Sequence, residues 1–367
     1  MHHPEILAAN QQAVASDGVS AGRHERLLLL QVGRAMAAIA VAASHARLGT
    51  SAFVDPVPDW LMNILAHGAL GVDFFFVLSG FIILNSHFDD PSGRAALKSY
   101  VLKRVSRVYI PYLPVCAIVI LSYLVFPALS QASREWGWLT SIFLVPSRYP
   151  PALVAAWTLV HEVLFYSIFM LFFRGKRLFL LVSIAWAVAI VALSPPDGLF
   201  SPLFSTLLNY INLEFLFGMT CALLCRWINR FATLFYVEIL GWMALAVGFG
   251  CVCCYFLIAT GEGPDRLLFG FGATLVLLWA VLLERKVRDR VPRAIVRLGD
   301  ASYAIYLIHN PLISLTSRAA ARFAVVDQWA GSLIFSMICV IGSGLLYHVW
   351  FERPALRFFR NVLRIGS

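Results

Sequence analysis

Ten apolar runs of bilayer-crossing length set the terms for this chain. They fall near 27 to 47, 61 to 84, 108 to 128, 154 to 173, 178 to 193, 203 to 224, 233 to 259, 266 to 283, 301 to 322 and 329 to 350. A helix gains about 1.5 Å per residue, so about 20 apolar residues cross the hydrocarbon of a bilayer. Inside hydrocarbon every backbone amide must find its partner within the protein, which leaves helices for segments this continuously apolar. Charge is too scarce for a soluble alternative: 13% of the 367 residues are charged and 60% are hydrophobic, against a charged share of about 25% in ordinary soluble domains. The expected fold is all-α, a polytopic integral membrane bundle of about ten transmembrane helices.

The basic residues then serve first as topology markers. The net charge is +9, which in a soluble chain would raise nucleic acid as a partner. Placing the N-terminus in the cytoplasm puts 22 of the 29 Lys and Arg on the inner side and six at outer loops and helix ends, with Arg34 inside the first run. That asymmetry is the positive-inside pattern. It predicts both termini in the cytoplasm and argues against nucleic acid. Residues 1 to 26 lack the apolar core of a signal peptide and read as a flexible cytoplasmic tail, with a second short tail expected over 358 to 367. All seven cysteines lie in or at the ends of the runs, away in sequence from any histidine or carboxylate cluster. Neither a disulfide framework nor a metal site is expected.

A few polar residues stand where lipid disfavours them. Arg34 and His45 are eleven residues apart, which is three helical turns plus about 20°, so they share one face with a rise of roughly 16 Å. Arg34 toward the inner side and His45 toward the outer suit a long ligand with an anionic end and a reactive end. Snorkelling of Arg34 and a merely wet His45 explain the spacing equally well. The second run contains GVDFFFVLSGF over 71 to 81. Asp73 there needs a partner, whereas close helix packing accounts for Ser79 and Gly80. WTLVHEVLFY, 157 to 166, adds His161 and Glu162 at a depth expected to match His45 and Asp73, with Glu162 and Tyr166 on one face. Two imidazoles and two carboxylates at one depth are the inventory of a general base and its orienting partner.

Arg104 and Arg107, in LKRVSRVYIPYL over 102 to 113, project from one side of a helix and suit phosphate oxygens, although any basic stop beside a membrane has this look. The ninth run carries a stripe of Ser302, Tyr306 and His309 before Pro311, an expected kink. A structural hydrogen bond accounts for His309 as well as catalysis does. Glu352, in FERP over 351 to 354, is placed to pair with a loop arginine, and Glu214 and Glu238 are further acids within runs.

In chain order, the R-x10-H of Arg34 and His45, GVDFFFVLSGF, the RxxR of Arg104 and Arg107, WTLVHEVLFY, SYAIYLIHNP over 302 to 311, and FERP together resemble the acyltransferase 3 family of membrane acyltransferases over about 27 to 357. The resemblance implies transfer of an acyl group, often acetyl, from cytoplasmic acyl-CoA to a hydroxyl of a glycan, a lipid-linked sugar or a small-molecule acceptor. The setting it implies is the bacterial inner membrane, with no permanently bound cofactor. His45 would be the essential base or acyl carrier, with Glu162 or Asp73 orienting its ring. Arg34, Arg104 and Arg107 would bind the donor, and Ser79, Tyr166 and His309 would line the substrate path. Larger relatives carry a C-terminal extramembrane domain of the SGNH type. Only a short tail follows the last run here, so the polysaccharide target of those fused proteins does not carry over directly. A secondary transporter or flippase would also bury arginines, carboxylates and histidines in ten helices and is the alternative, although no inverted repeat is detectable.

Overall fold

The computed structural model describes residues 27–126, 135–193, 201–258, 265–323 and 328–363, and among them there is no strand. Each of the ten apolar runs contains a principal helix: α1 Leu28–Phe53, α2 Gly71–His87, α3 Arg94–Val125, α4 Ala156–Phe169, α5 Lys176–Leu193, α6 Asn212–Phe231, α7 Leu234–Ile258, α8 Arg266–Leu282, α9 Ser302–Phe323 and α10 Trp329–Tyr347, with the runs near 61 and 203 opening on separate short helices, Asp59–Ala66 and Pro202–Leu207. Eight of these, some with an adjoining short helix, are long and apolar enough to cross a membrane, and α8 makes a ninth with the helical segment after it, from which it is bent by 67°. Helix α9 is long enough at 22 residues. Its hydroxyls, His309, Asn310, Arg318 and Arg322 make it more polar than the others. It also continues through Pro311 without a break. The tail expected over 1 to 26 lies outside the described residues, and a helix at Arg353–Val362 runs across residue 357.

Helices α5 and α7 show how the outer surface is built. Leu181, Val188 and Val191 on α5 and Phe235, Val247 and Phe249 on α7 are more than half exposed. In water such contiguous apolar surface would drive association. Against lipid tails it is neutral, so cohesion between helices has to come from tight packing and internal polar contacts.

Close backbone approach supplies much of that packing. A Cβ added at Gly80 of α2 would lie 2.0 Å from the carbonyl oxygen of Phe215, and one at Gly218 of α6 would lie 1.8 Å from that of Val77. Only hydrogen fits at either place, so α2 and α6 touch backbone to backbone. Phe165 of α4 stacks on Phe215 beside this crossing, with ring centroids 4.2 Å apart.

Polar contacts fix the relative directions of the helices. Asp73, Glu214 and Arg266 stand in the first turns of α2, α6 and α8 and lie together. These three even-numbered helices therefore start at one end of the bundle. Arg34 and His45 of α1 meet Ser302 and His309 of α9 in the same order, so α1 and α9 run parallel. Both relations follow from a chain that crosses and recrosses one layer.

Candidate active site

Five helices enclose a cavity of about 300 Å³ that gathers most of the candidate residues. Helix α1 supplies Arg34, α2 supplies Ser79, α3 supplies Arg104 and Arg107, α4 supplies Glu162 and Tyr166, and α9 supplies Ser302, Tyr303 and Tyr306. Phe75, Phe76, Leu78 and Ile82 add apolar wall. Arg34 donates from Nε to Ser302 Oγ at 3.1 Å. Tyr166 donates its hydroxyl to Glu162, one turn earlier on the same face. The Arg104 guanidinium lies over the Tyr166 ring at 5.6 Å, and that of Arg107 over Tyr303 at 5.7 Å. Arg107 also reaches the fully buried Glu352 at 3.5 Å. Glu352 thus finds an arginine, but one on α3 rather than in a loop. Three guanidinium groups and the Glu162 carboxylate face this otherwise largely apolar-walled space. Such a site suits an anionic group carried on a longer, less polar body.

Tyr306 joins this cavity to two histidines. Its hydroxyl lies 2.8 Å from Thr158 Oγ1 and donates to the Ala155 carbonyl at 3.2 Å. Its ring is 5.4 Å from that of His309, which meets His45 edge to face at 4.9 Å between centroids. His45 Nδ1 is 3.0 Å from the Val41 carbonyl, and His309 Nδ1 is 2.5 Å from the Tyr306 carbonyl. A carbonyl only accepts, so each Nδ1 carries a hydrogen, and in the neutral ring each Nε2 keeps its lone pair. His309 Nε2 is buried with no hydrogen-bond partner among the described residues. His45 is half-buried.

The two carboxylates expected beside His45 lie elsewhere. Asp73 is fully buried and gripped by Arg266 through two hydrogen bonds, one of them 3.0 Å from Nε to Oδ1. The helix explains why. Gly71 packs on Ala37 and Val41 of α1, and Asp73, two residues or about 200° further round, faces α8 instead. Nothing in the spacing of the sequence links residue 73 to residue 266. Glu162 belongs to the arginine-lined cavity, and its hydrogen bond goes to Tyr166 rather than to His45. His161 is bound at 3.0 Å to Oδ1 of Asn212. Asn212 in turn donates to the carbonyls of Thr206 and Leu207, tying α4 to the start of α6. Glu238 meets Lys286 at 2.5 Å, and Glu214 is buried beside the Asp73 pair.

Fold and cavity together define a multi-pass membrane protein with an arginine-lined cavity between its helices. The chain belongs to the acyltransferase 3 family, whose model, described as an acyltransferase domain, matches residues 28–348. It is similar to the exopolysaccharide production protein ExoZ of Rhizobium meliloti (strain 1021), 29% identical over 79% of this chain and 90% of that one. It is also similar to the acyltransferase MdmB of Streptomyces mycarofaciens, 26% identical over 88% of this chain and 90% of that one. No solved structure matches it. Its activity is membrane acyl transfer, which requires a donor and an acceptor.

Proposed function

We propose that this protein transfers an acyl group, acetyl in the first instance, from acyl-CoA to a hydroxyl of a glycan, a lipid-linked sugar or a small-molecule acceptor, with His45 as base or acyl carrier. The observation that carries this reading is the continuous line from Arg34, Arg104 and Arg107 through Tyr306 to His309 and His45. The arginines suit the phosphates of CoA, and the apolar walls suit its pantetheine arm. Arg34 and His45, roughly 16 Å apart along α1, fit a donor whose charge and thioester lie at opposite ends of a long arm. The positive-inside pattern supports an arginine end that faces the cytoplasm of a bacterial plasma membrane. The name of ExoZ supports a glycan acceptor.

In direct transfer, His45 Nε2 takes the proton of the acceptor hydroxyl as its oxygen attacks the thioester carbonyl. The C–S bond breaks, and the CoA thiolate recovers the proton from the imidazolium. In the covalent route Nε2 itself attacks, CoA leaves as the thiolate, and the acyl-imidazole passes its acyl group to the acceptor, whose proton goes to the thiolate. Both routes use the nitrogen that the Val41 contact leaves open. The test is release of free CoA thiol from acetyl-CoA by the purified protein when candidate acceptors are added. A transporter releases none. A His45→Ala variant that turns over at the wild-type rate would remove His45 from the chemistry.

A further inference from the structure

His87, at the end of α2, lies outside every motif so far discussed and is 5% exposed. Its Nδ1 is 2.7 Å from Asp90 Oδ2, and its Nε2 is 3.2 Å from Nη2 of Arg104. A guanidinium can only donate, so Nε2 is the acceptor and Nδ1–H points to the carboxylate. The rings of Tyr100, Phe169 and Phe173 wall the imidazole in, with centroids 5.2, 6.3 and 5.9 Å away. The ring therefore has one orientation available, and it aims its lone pair at Arg104.

The two arginines of the RxxR pair are thus held in chemically different ways. Behind Arg107 stands Glu352, itself held by His348 at 2.7 Å. Its charge is met by a carboxylate. Behind Arg104 stands an imidazole that accepts a hydrogen bond without cancelling charge. The Nε of Arg104 is buried and has no partner among the described residues, while the side chain lines the cavity. A buried donor without a partner is costly unless something comes to meet it.

We propose that His87 and Asp90 are positioning residues that hold the Arg104 guanidinium, charge intact, for a phosphate group of the donor. The relay fixes the side chain before the ligand arrives, so binding does not have to order a long flexible cation. It leaves the cavity-facing N–H groups of Arg104 to donate to phosphate oxygens. This inference rests on the acyl-CoA reading given above and deepens it.

Binding of CoA to the full-length protein in lipid nanodiscs, measured by calorimetry, separates the two. Arg104→Ala should weaken CoA binding by about tenfold or more, the scale of a charge-assisted hydrogen bond. If it leaves the affinity unchanged, the donor reading itself fails. The relay is tested by His87→Gln, whose amide oxygen can reach the place of Nε2, and by His87→Asn, which keeps a partner for Asp90 but not for Arg104. The Gln variant should bind CoA within about twofold of wild type and the Asn variant about tenfold more weakly. Asp90→Asn, at a side chain 41% exposed, perturbs the ring without threatening the fold and should weaken binding by a smaller factor. In an Arg104→Ala background His87→Asn should cause no further loss, because the effect runs through the arginine. Equal affinity in the Gln and Asn variants, or an Asn effect that persists without Arg104, overturns the relay while leaving the donor reading in place.

Discussion

His45 and His309 meet edge to face with ring centroids 4.9 Å apart, although one sits on the first helix and the other on the ninth. Around them α1 and α9 pack without intervening bulk: a Cβ added at Gly49 would lie 2.7 Å from Ile313 and 2.9 Å from Ser317 Oγ. The two imidazoles are thereby brought into contact from distant parts of the chain.

Loss of His45 should slow turnover severely but spare donor binding. His45→Ala is expected to slow acyl transfer by about 10²- to 10⁴-fold, the range for a general base, with CoA affinity unchanged in calorimetry. His309→Phe keeps a ring against His45 but removes both nitrogens, and should lower kcat by about tenfold. Transfer of a labelled acetyl group reads both.

Arg34→Ala should act on the donor side, raising KM for acetyl-CoA about tenfold through loss of a charge-assisted hydrogen bond. Ser302→Ala, which removes only the contact at 3.1 Å that steadies the guanidinium, should raise it less, by about threefold. A kcat effect larger than the KM effect in Arg34→Ala would place this arginine at the reacting group instead.

Asp73 should behave as a structural residue despite its place in the second-run motif. Arg266→Ala leaves a fully buried carboxylate unpaired and should destabilise the bundle by about 3 kcal/mol. Thermal unfolding in detergent measures this, and the molecules that remain folded should retain their turnover. The double substitution Asp73→Asn with Arg266→Gln should cost less than the sum of the single ones.

Helix contact at the glycine crossing gives a fourth test. Gly80→Ala or Gly218→Ala places a methyl group inside a backbone carbonyl and should cost about 3 kcal/mol. Gly342→Ala on α10, where a Cβ would meet nothing within 4 Å, should stabilise its helix by up to about 1 kcal/mol.

The ten apolar runs were legible because their length and apolar composition answer to the bilayer alone, and each contains a principal helix. The cavity was legible in part. Arg104 with Arg107, and Glu162 with Tyr166, share a face because each pair carries its own helical spacing, whereas the meeting of Arg34 with Arg104 and Arg107 required α1 and α3 to become neighbours. The partner of Asp73 was hidden, since a contact between residues 73 and 266 depends on which helices become neighbours. Depth along a span misled for the same reason: Glu162 points into the arginine-lined cavity, and depth says nothing about direction round the helix. His87 carried a signal in principle, as a histidine three residues before Asp90 at a helix end. Its meaning depended on Arg104 arriving from α3.

Each of the two contacting imidazoles has its hydrogen placed by a carbonyl of its own helix, Val41 for His45 and Tyr306 for His309. The tautomer of each neutral ring is therefore selected by its own helix. Their juxtaposition is settled last, because α1 leaves the ribosome first and must wait for α9 to be made and inserted. An unfinished chain in the membrane consequently holds the arginines of α1 and α3 but no paired imidazoles. Under the proposed function, a nascent copy that bound the donor would have no completed centre at which to transfer its acyl group.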